Sequence, residues 1–296
     1  AIVGPLIEEQ GQPPRRAIRS SFRENAVLLR AEPDYADKLR AAASSEAQRK
    51  AWEDGDWDIV AGGMFDDLWK PDVHVVPPIP PAKIPAGWKL DRSYDDGQTH
   101  PFSVGWWAQS SGEPVEWEGR QLGAVRGDLI RVGEWYGWTG QPNKGLTMSP
   151  RDIARGILER EQKWGIAGRV RRGPADTAIF NSDRRDRNVS VASEMAKQGV
   201  HWEPADKGPG SRIQGWKAVR DMLRGAVPGD HGRREFPGLF ISARCDQALR
   251  LLPVTARDEK DPDDVDSESE DHLQDEIRYR VRRLRVVDKT TSSVLY

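Results

Sequence analysis

Cysteine is nearly missing from this chain. Its 296 residues include one, Cys245, which excludes an internal disulfide and any cysteine-built zinc site. With no catalytic signature around it, Cys245 is expected to be a small buried residue. Long apolar runs are absent too: none approaches the roughly 18 residues needed to span a bilayer, so no membrane segment is expected. The opening Ala1-Ile2-Val3 carries no methionine, no charged leader and no long apolar stretch. It therefore reads as the start of a fragment or processed chain rather than a signal peptide. An excess of one charge is lacking as well. The formal net charge is −2, so any surface for a polyanion must be local.

What is present is charge of both signs, tryptophan and proline. A charged fraction of 31% is high, yet twelve tryptophans and well-phased apolar positions argue against wholesale disorder. The length suits two domains, or one large domain with an extension. Residues 1–73 read as a small, mostly helical extension: a short extended piece near Pro13–Asn25, then polar helices over Glu32–Ser45 and Ser45–Asp58. A proline-rich stretch, Pro71–Pro85, reads as a linker or edge segment, and the boundary falls at 73/74.

From residue 74 to 296 the pattern sharpens. Alternation over Trp88–Asp95, Phe102–Gln109 and Asp128–Trp138 predicts a three-stranded meander. A helix follows, capped by Ser149 with Pro150 in its first turn and ended by Gly165. A short strand runs into Asp176, a helix spans Ser190–Gly199, and a strand lies near Val200–Ala205. The Ser211–Gly225 helix carries Ile213, Trp216, Val219 and Leu223 on one stripe. A strand at Gly238–Ala243, a short helix at Cys245–Leu252 and a last helix at Glu268–Leu284 complete the series. The order β-β-β-α-β-α-β-α is that of a mixed α/β sheet covered by helices, matching the ribonuclease H-like fold.

That order gives three acids special places. Asp95 ends the first strand, Asp176 follows the fourth, and Asp275 lies early in the last helix. Asp271 lies four residues before Asp275 and shares its face. Leu273, Ile277 and Leu284 point to the core, which leaves the acidic face for the sheet edge. Converging carboxylates repel, and hard cations such as Mg²⁺ or Mn²⁺ offset that repulsion. Two ions about 3.5–4 Å apart can activate water and stabilise the leaving oxygen of a phosphodiester. Singly each acid has an ordinary explanation, in helix-dipole or turn chemistry. Asp96, adjacent on the strand, is expected to point away, and His272 could orient the site but reads first as a surface or capping histidine. Lys207, Arg212 and Lys217 surround a glycine-rich loop that opens a helix, a place suited to sequence-independent phosphate contact. Arg169, Arg171, Arg172 and the Arg278–Arg285 run are further basic strips.

The segments "RSYDDGQTHPFSVGWWA", "ADTAIF", "ADKGPGSRIQGWKAVRDML" and "EDHLQDEIRY" together resemble the nuclease domain of the large terminase subunit of tailed double-stranded DNA phages, from Trp88 to Leu284. "AWEDGDWDIVAGGMFDD" is similar to the segment joining that family's ATPase domain to its nuclease. The resemblance puts the family's three acids on Asp95, Asp176 and Asp275, with Asp271 assisting. It implies a two-metal-ion endonuclease that cuts concatemeric viral DNA during packaging in the host cytoplasm. Double-stranded DNA, the portal protein and the small terminase subunit are the implied partners. The family's motor carries a P-loop, and no G-x-x-x-x-G-K-[ST] occurs here, so the ATPase is expected upstream of Ala1 or on another polypeptide. Other readings are a resolvase- or integrase-like nuclease of the same fold, a module that docks on DNA or the portal without cutting, and a two-carboxylate glycosidase needing no metal.

Overall fold

The computed structural model describes residues 2–7, 15–19, 21–42, 63–97, 99–141, 143–182, 189–229, 231–258, 260–266 and 270–292. The helix expected over Ser45–Asp58 lies outside them. At the front, β1 (Ile2–Ile7) pairs antiparallel with β2 (Arg15–Arg19), so the extension contains a strand pair as well as short helices. α1 (Ala26–Ala31) is capped by the Asn25 side chain, which accepts the Leu28 N–H, and α2 is Tyr35–Ala42.

The proline-rich stretch forms one turn of helix, α3 (Pro71–His74), and then the two-residue edge strand β3 (Val75–Val76). Edge placement suits prolines, which cannot donate to a ladder. Met64 and Phe65 precede the expected boundary but are fully buried, and the Phe65 ring meets Trp216 edge-on at 6.3 Å.

The predicted meander is β4 (Lys89–Asp95), β5 (Ser103–Gln109) and β8 (Leu129–Tyr136), all antiparallel. A hairpin unforeseen in the sequence, β6 (Val115–Trp117) and β7 (Arg120–Leu122), lies between the last two. Glu118 and Gly119 both have positive φ, the tight-turn geometry whose twist matches a hairpin. α4 (Pro150–Lys163) follows, with Ser149 accepting the Asp152 N–H at 3.2 Å as its cap.

The fourth strand is broken into β9 (Val170–Arg171) and β10 (Pro174–Ala175), both parallel to β4. Gly173 sits at the break, where a Cβ would collide with the Arg92 carbonyl. Then come α5 (Val191–Ala196), β11 (Glu203–Pro204), α6 (Ser211–Ala226), β12 (Leu239–Ser242), α7 (Asp246–Leu251) and α8 (His272–Ser292). Among the described residues the main sheet runs β11-β10-β4-β5-β8-β12-β3, with β9 beside β4. It is a mixed α/β sheet flanked by helices, as the order of elements predicts.

Two apolar clusters cover the two faces. Val104, Trp106 and Ala108 of β5 pack with Ile153 and Ile157 of α4. Trp107 points the other way, toward Trp216, Val219, Leu223 and Ile277 of α6 and α8. Cys245 is buried in this second cluster, as expected.

On the α8 side the interface is mostly polar. Asp91, Ser93 and Asp95 alternate along β4, and Arg280, Glu276 and His272 meet them in turn. Arg280 donates to Asp91 at 2.5 Å, Ser93 donates to Glu276, and His272 joins Asp95 at 2.5 Å. Glu276 is fully buried and also receives Arg131, Trp107 and Ser103. Charges at such depth survive only when paired and hydrogen-bonded. Every residue from Leu273 to Val281 is buried, so α8 has no solvent face along this length.

Candidate active site

The sheet places Asp95 at the last position of β4, where the ladder opens into the turn to β5. That turn is tight: a Cβ on Gly97 would strike the His100 carbonyl. His100 stacks on His272 with ring centres 5.6 Å apart, and its Nδ1 lies 3.0 Å from the Asn143 Oδ1. The Asp95 side chain is buried. Asp176 hydrogen-bonds the Tyr94 carbonyl through its N–H, so it adjoins Asp95 across the β4–β10 edge. Its carboxylate caps the short turn Thr177–Phe180 by accepting the Ala178 N–H at 2.7 Å. Asp275 lies in the first turn of α8, and its N–H bonds the Asp271 carbonyl.

Each carboxylate has a basic partner. Asp95 meets His272; Asp176 meets Lys207 at 2.7 Å; Asp275 meets Arg278 at 3.0 Å and Arg212 at 3.2 Å; Asp271 meets Arg212 at 3.5 Å. Asp264, not singled out in the sequence, accepts the Arg212 Nε–H at 2.6 Å and the Trp216 indole N–H at 2.9 Å. Asp96 accepts the Tyr94 hydroxyl at 2.5 Å and is not among these contacts.

The acids share one electrostatic field. Burial pushes the Asp95 carboxyl up to about 7 against the opposing His272 bond, and Asp275 and Asp176 push it the same way. Asp271 is raised by burial and then by Asp275. The Tyr279 hydroxyl is raised by burial and then by Asp95, Asp275 and Asp176 together. Burial disfavours charge on His272, but the bond to Asp95 and the field of Asp95, Asp271 and Asp275 outweigh it and raise the imidazole. Of the two readings of His272, its burial and its contact with Asp95 favour a residue that orients the site over a surface or capping histidine. The histidine-to-acid spacing along β4 and α8 could not be seen without their register.

Among the predicted phosphate contacts, Lys207 and Arg212 turn onto the acids, while Lys217 is exposed on α6. Arg169 donates to the Ile84 and Pro85 carbonyls at 3.0 and 3.1 Å, and Arg278 and Arg280 are buried in ion pairs.

Among the described residues no group of three His, Cys, Asp or Glu side chains is close enough to hold a metal ion as it stands. In chemistry the donors fit: the set is all carboxylate oxygen, partly buried and mutually repelling, which suits a hard divalent cation. The chain's own cations take that part here, at the distances given above.

No protein-family model matches the sequence, and no curated protein matches it. Among solved structures, the large terminase of a thermophilic bacteriophage in complex with ADP superposes with a TM-score of 0.52 and 17% identity, covering 74% of this chain and 44% of that one. The same terminase in complex with ATP-gamma-S gives 0.52 and 16%, covering 88% and 54%. This chain therefore has a fold found in large terminases. It spans about half the length of those proteins.

Proposed function

We propose that this chain is a divalent-metal-dependent, largely sequence-nonspecific DNA endonuclease of the terminase type, acting on concatemeric viral DNA during packaging. The observations that support it most are that Asp176 adjoins Asp95 through its bond to the Tyr94 carbonyl, and that His272, three residues before Asp275 on α8, reaches Asp95.

In this reading Asp95, Asp176 and Asp275 hold Mg²⁺ or Mn²⁺, two ions in all, with Asp271 assisting. Such ions supply an activated water and charge neutralisation at the leaving oxygen. The chain does the rest. His272 fixes the rotamer of Asp95, and Arg278 with Tyr279 fixes Asp275. Lys207, Arg212 and Lys217 supply phosphate contact, which carries no sequence information and weakens with salt. Double-stranded DNA is the substrate. The portal protein, the small subunit and an ATPase, upstream or separate, are the packaging partners, and the host cytoplasm is the setting. The described residues include no helix long and apolar enough to cross a membrane. The division at 73/74 into a linker subdomain and a nuclease domain belongs to the same proposal.

The test is nicking of supercoiled plasmid by the purified chain. Cutting should require Mg²⁺ or Mn²⁺, and Asp95→Asn should lower it by about a hundredfold or more, the scale of losing one electrostatic contributor. Cleavage that persists in chelator, or in Asp95→Asn, would rule out the assigned site. A module that binds DNA without cutting is the second reading, favoured by the neutralisation of each acid by a basic side chain. It predicts retention of DNA on a gel with no nicking at any metal concentration.

A further inference from the structure

We propose that Arg212, aided by Lys207, is the resident counter-cation of the acid site: it gathers the carboxylates of Asp264, Asp271 and Asp275 and competes with the divalent ion for them. This deepens the nuclease reading and rests on it for the identity of the ion.

Arg212 stands at the second position of α6, just past Gly210, which has φ +73°. Its guanidinium faces carboxylates from two separate pieces of chain. Nε reaches Asp264 at 2.6 Å, Nη1 reaches Asp275 at 3.2 Å, and Nη2 reaches Asp271 at 3.5 Å. Nη2 also lies 3.4 Å from the Val265 carbonyl. One positive charge thus serves three negative ones, using the several fixed donors of a planar guanidinium. A residue needed only to dock the 261–266 loop would require Asp264 alone. Lys207 serves Asp176 in the same way, with Nζ 5.4 Å above the Tyr279 ring.

Both residues flank Gly208-Pro209-Gly210, and neither is sealed in the interior. A divalent ion brings twice the charge and oxygen-seeking coordination. Arriving at Asp275 and Asp176, it would displace both side chains, which would then lie beside the scissile phosphate. Arg212 is therefore a positioning residue that acts through the acids. It keeps repelling carboxylates together before the ion arrives and opposes the ion's arrival.

Mn²⁺ affinity of the whole chain, by titration calorimetry and by the fluorescence of the nearby Trp216, tests this. Arg212→Ala should bind Mn²⁺ about tenfold more tightly, the scale on which one adjacent charge shifts a carboxylate's affinity for a cation. Arg212→Lys should return toward wild type. In chelator the Ala variant should melt below wild type, and saturating Mn²⁺ should narrow that gap. Lys207→Ala, acting at Asp176, should tighten binding in the same direction and serves should Arg212→Ala not fold. Unchanged or weaker Mn²⁺ binding by a folded Arg212→Ala, or by Lys207→Ala where it alone folds, overturns the proposal. If wild type cuts with Mn²⁺ in that case, the nuclease reading survives. If wild type binds no Mn²⁺, both fail.

Discussion

The two ends of the β4–α8 interface hold similar chemistry in different settings. At the inner end Arg131 meets Glu276 and Arg280 meets Asp91, with the arginines 0% and 1% exposed. At the outer end Lys207, Arg212 and His272 meet their acids while 38%, 30% and 22% exposed. The inner cations come from a strand and a helix interior. Lys207 and Arg212 come from a glycine-rich loop and the first turn of the helix it opens. Inner pairs are committed to the fold, because an unpaired charge there has no recourse to water. Outer pairs can exchange partners.

The largest effect expected from this contrast is at the inner end. Glu276→Gln should cost about 3–5 kcal/mol, the scale for breaking a buried pair. The denaturation midpoint in urea measures it, and a loss below about 1 kcal/mol would erase the distinction between the ends.

At the outer end Asp95→Asn should be far milder, and its effect should depend on pH. The folded Asp95 carboxyl is raised to about 7, above its unfolded value. Its contribution to stability is therefore complete below the unfolded pKa and is lost as pH rises through about 7. In chelator, wild type should lose ground against Asp95→Asn as pH climbs from about 5 toward about 8, read as the difference in melting temperature. A gap independent of pH would contradict the rise of the Asp95 carboxyl that burial causes.

A buried polar group at neither end gives the smallest effect. His74 lies within 2.8 Å of the Leu223 carbonyl through Nε2 and stacks on Trp69 at 5.3 Å. Burial lowers its pKa, so its contribution is present above the unfolded value of about 6.5 and is lost as pH falls below that. His74→Gln should flatten the acid limb of a stability–pH curve, by on the order of 1 kcal/mol between about pH 7 and 5. An unaltered acid limb would show that other groups dominate.

Much of this architecture is legible in the sequence. Period-two alternation located β4, β5 and β8, and the capping serines located α4 and α5. Asp95, Asp176 and Asp275 stood out through their places in the topology, and the fold puts Asp176 beside Asp95 through the Tyr94 carbonyl. Their partners did not. Read alone, "HLQDEIRYRV" is a helix with one apolar stripe, yet Glu276, Arg278 and Arg280 are as buried as Leu273 and Ile277. Asp91 and Ser93 likewise resemble an outward strand face. The polar residues on each element explain one another only when the two are laid together. Arg212 shows the same limit: a basic residue beside glycines suits phosphate, and only the tertiary structure brings Asp264, Asp271 and Asp275 around it. The β6–β7 hairpin escaped because Glu-Gly is a weaker turn signal than Asn-Gly.

The three-step match between β4 and α8 works like a vernier. Two strand residues advance about 6.6 Å, and four helical residues about 6.0 Å, so the scales drift by roughly 1.2 Å across three marks. The match stops at Asp95 with His272, where the strand ends and the helix begins. A single inserted residue between Asp91 and Asp95 would swap every side chain beyond it to the opposite face. Strand and helix are thereby locked to one length as well as to one register.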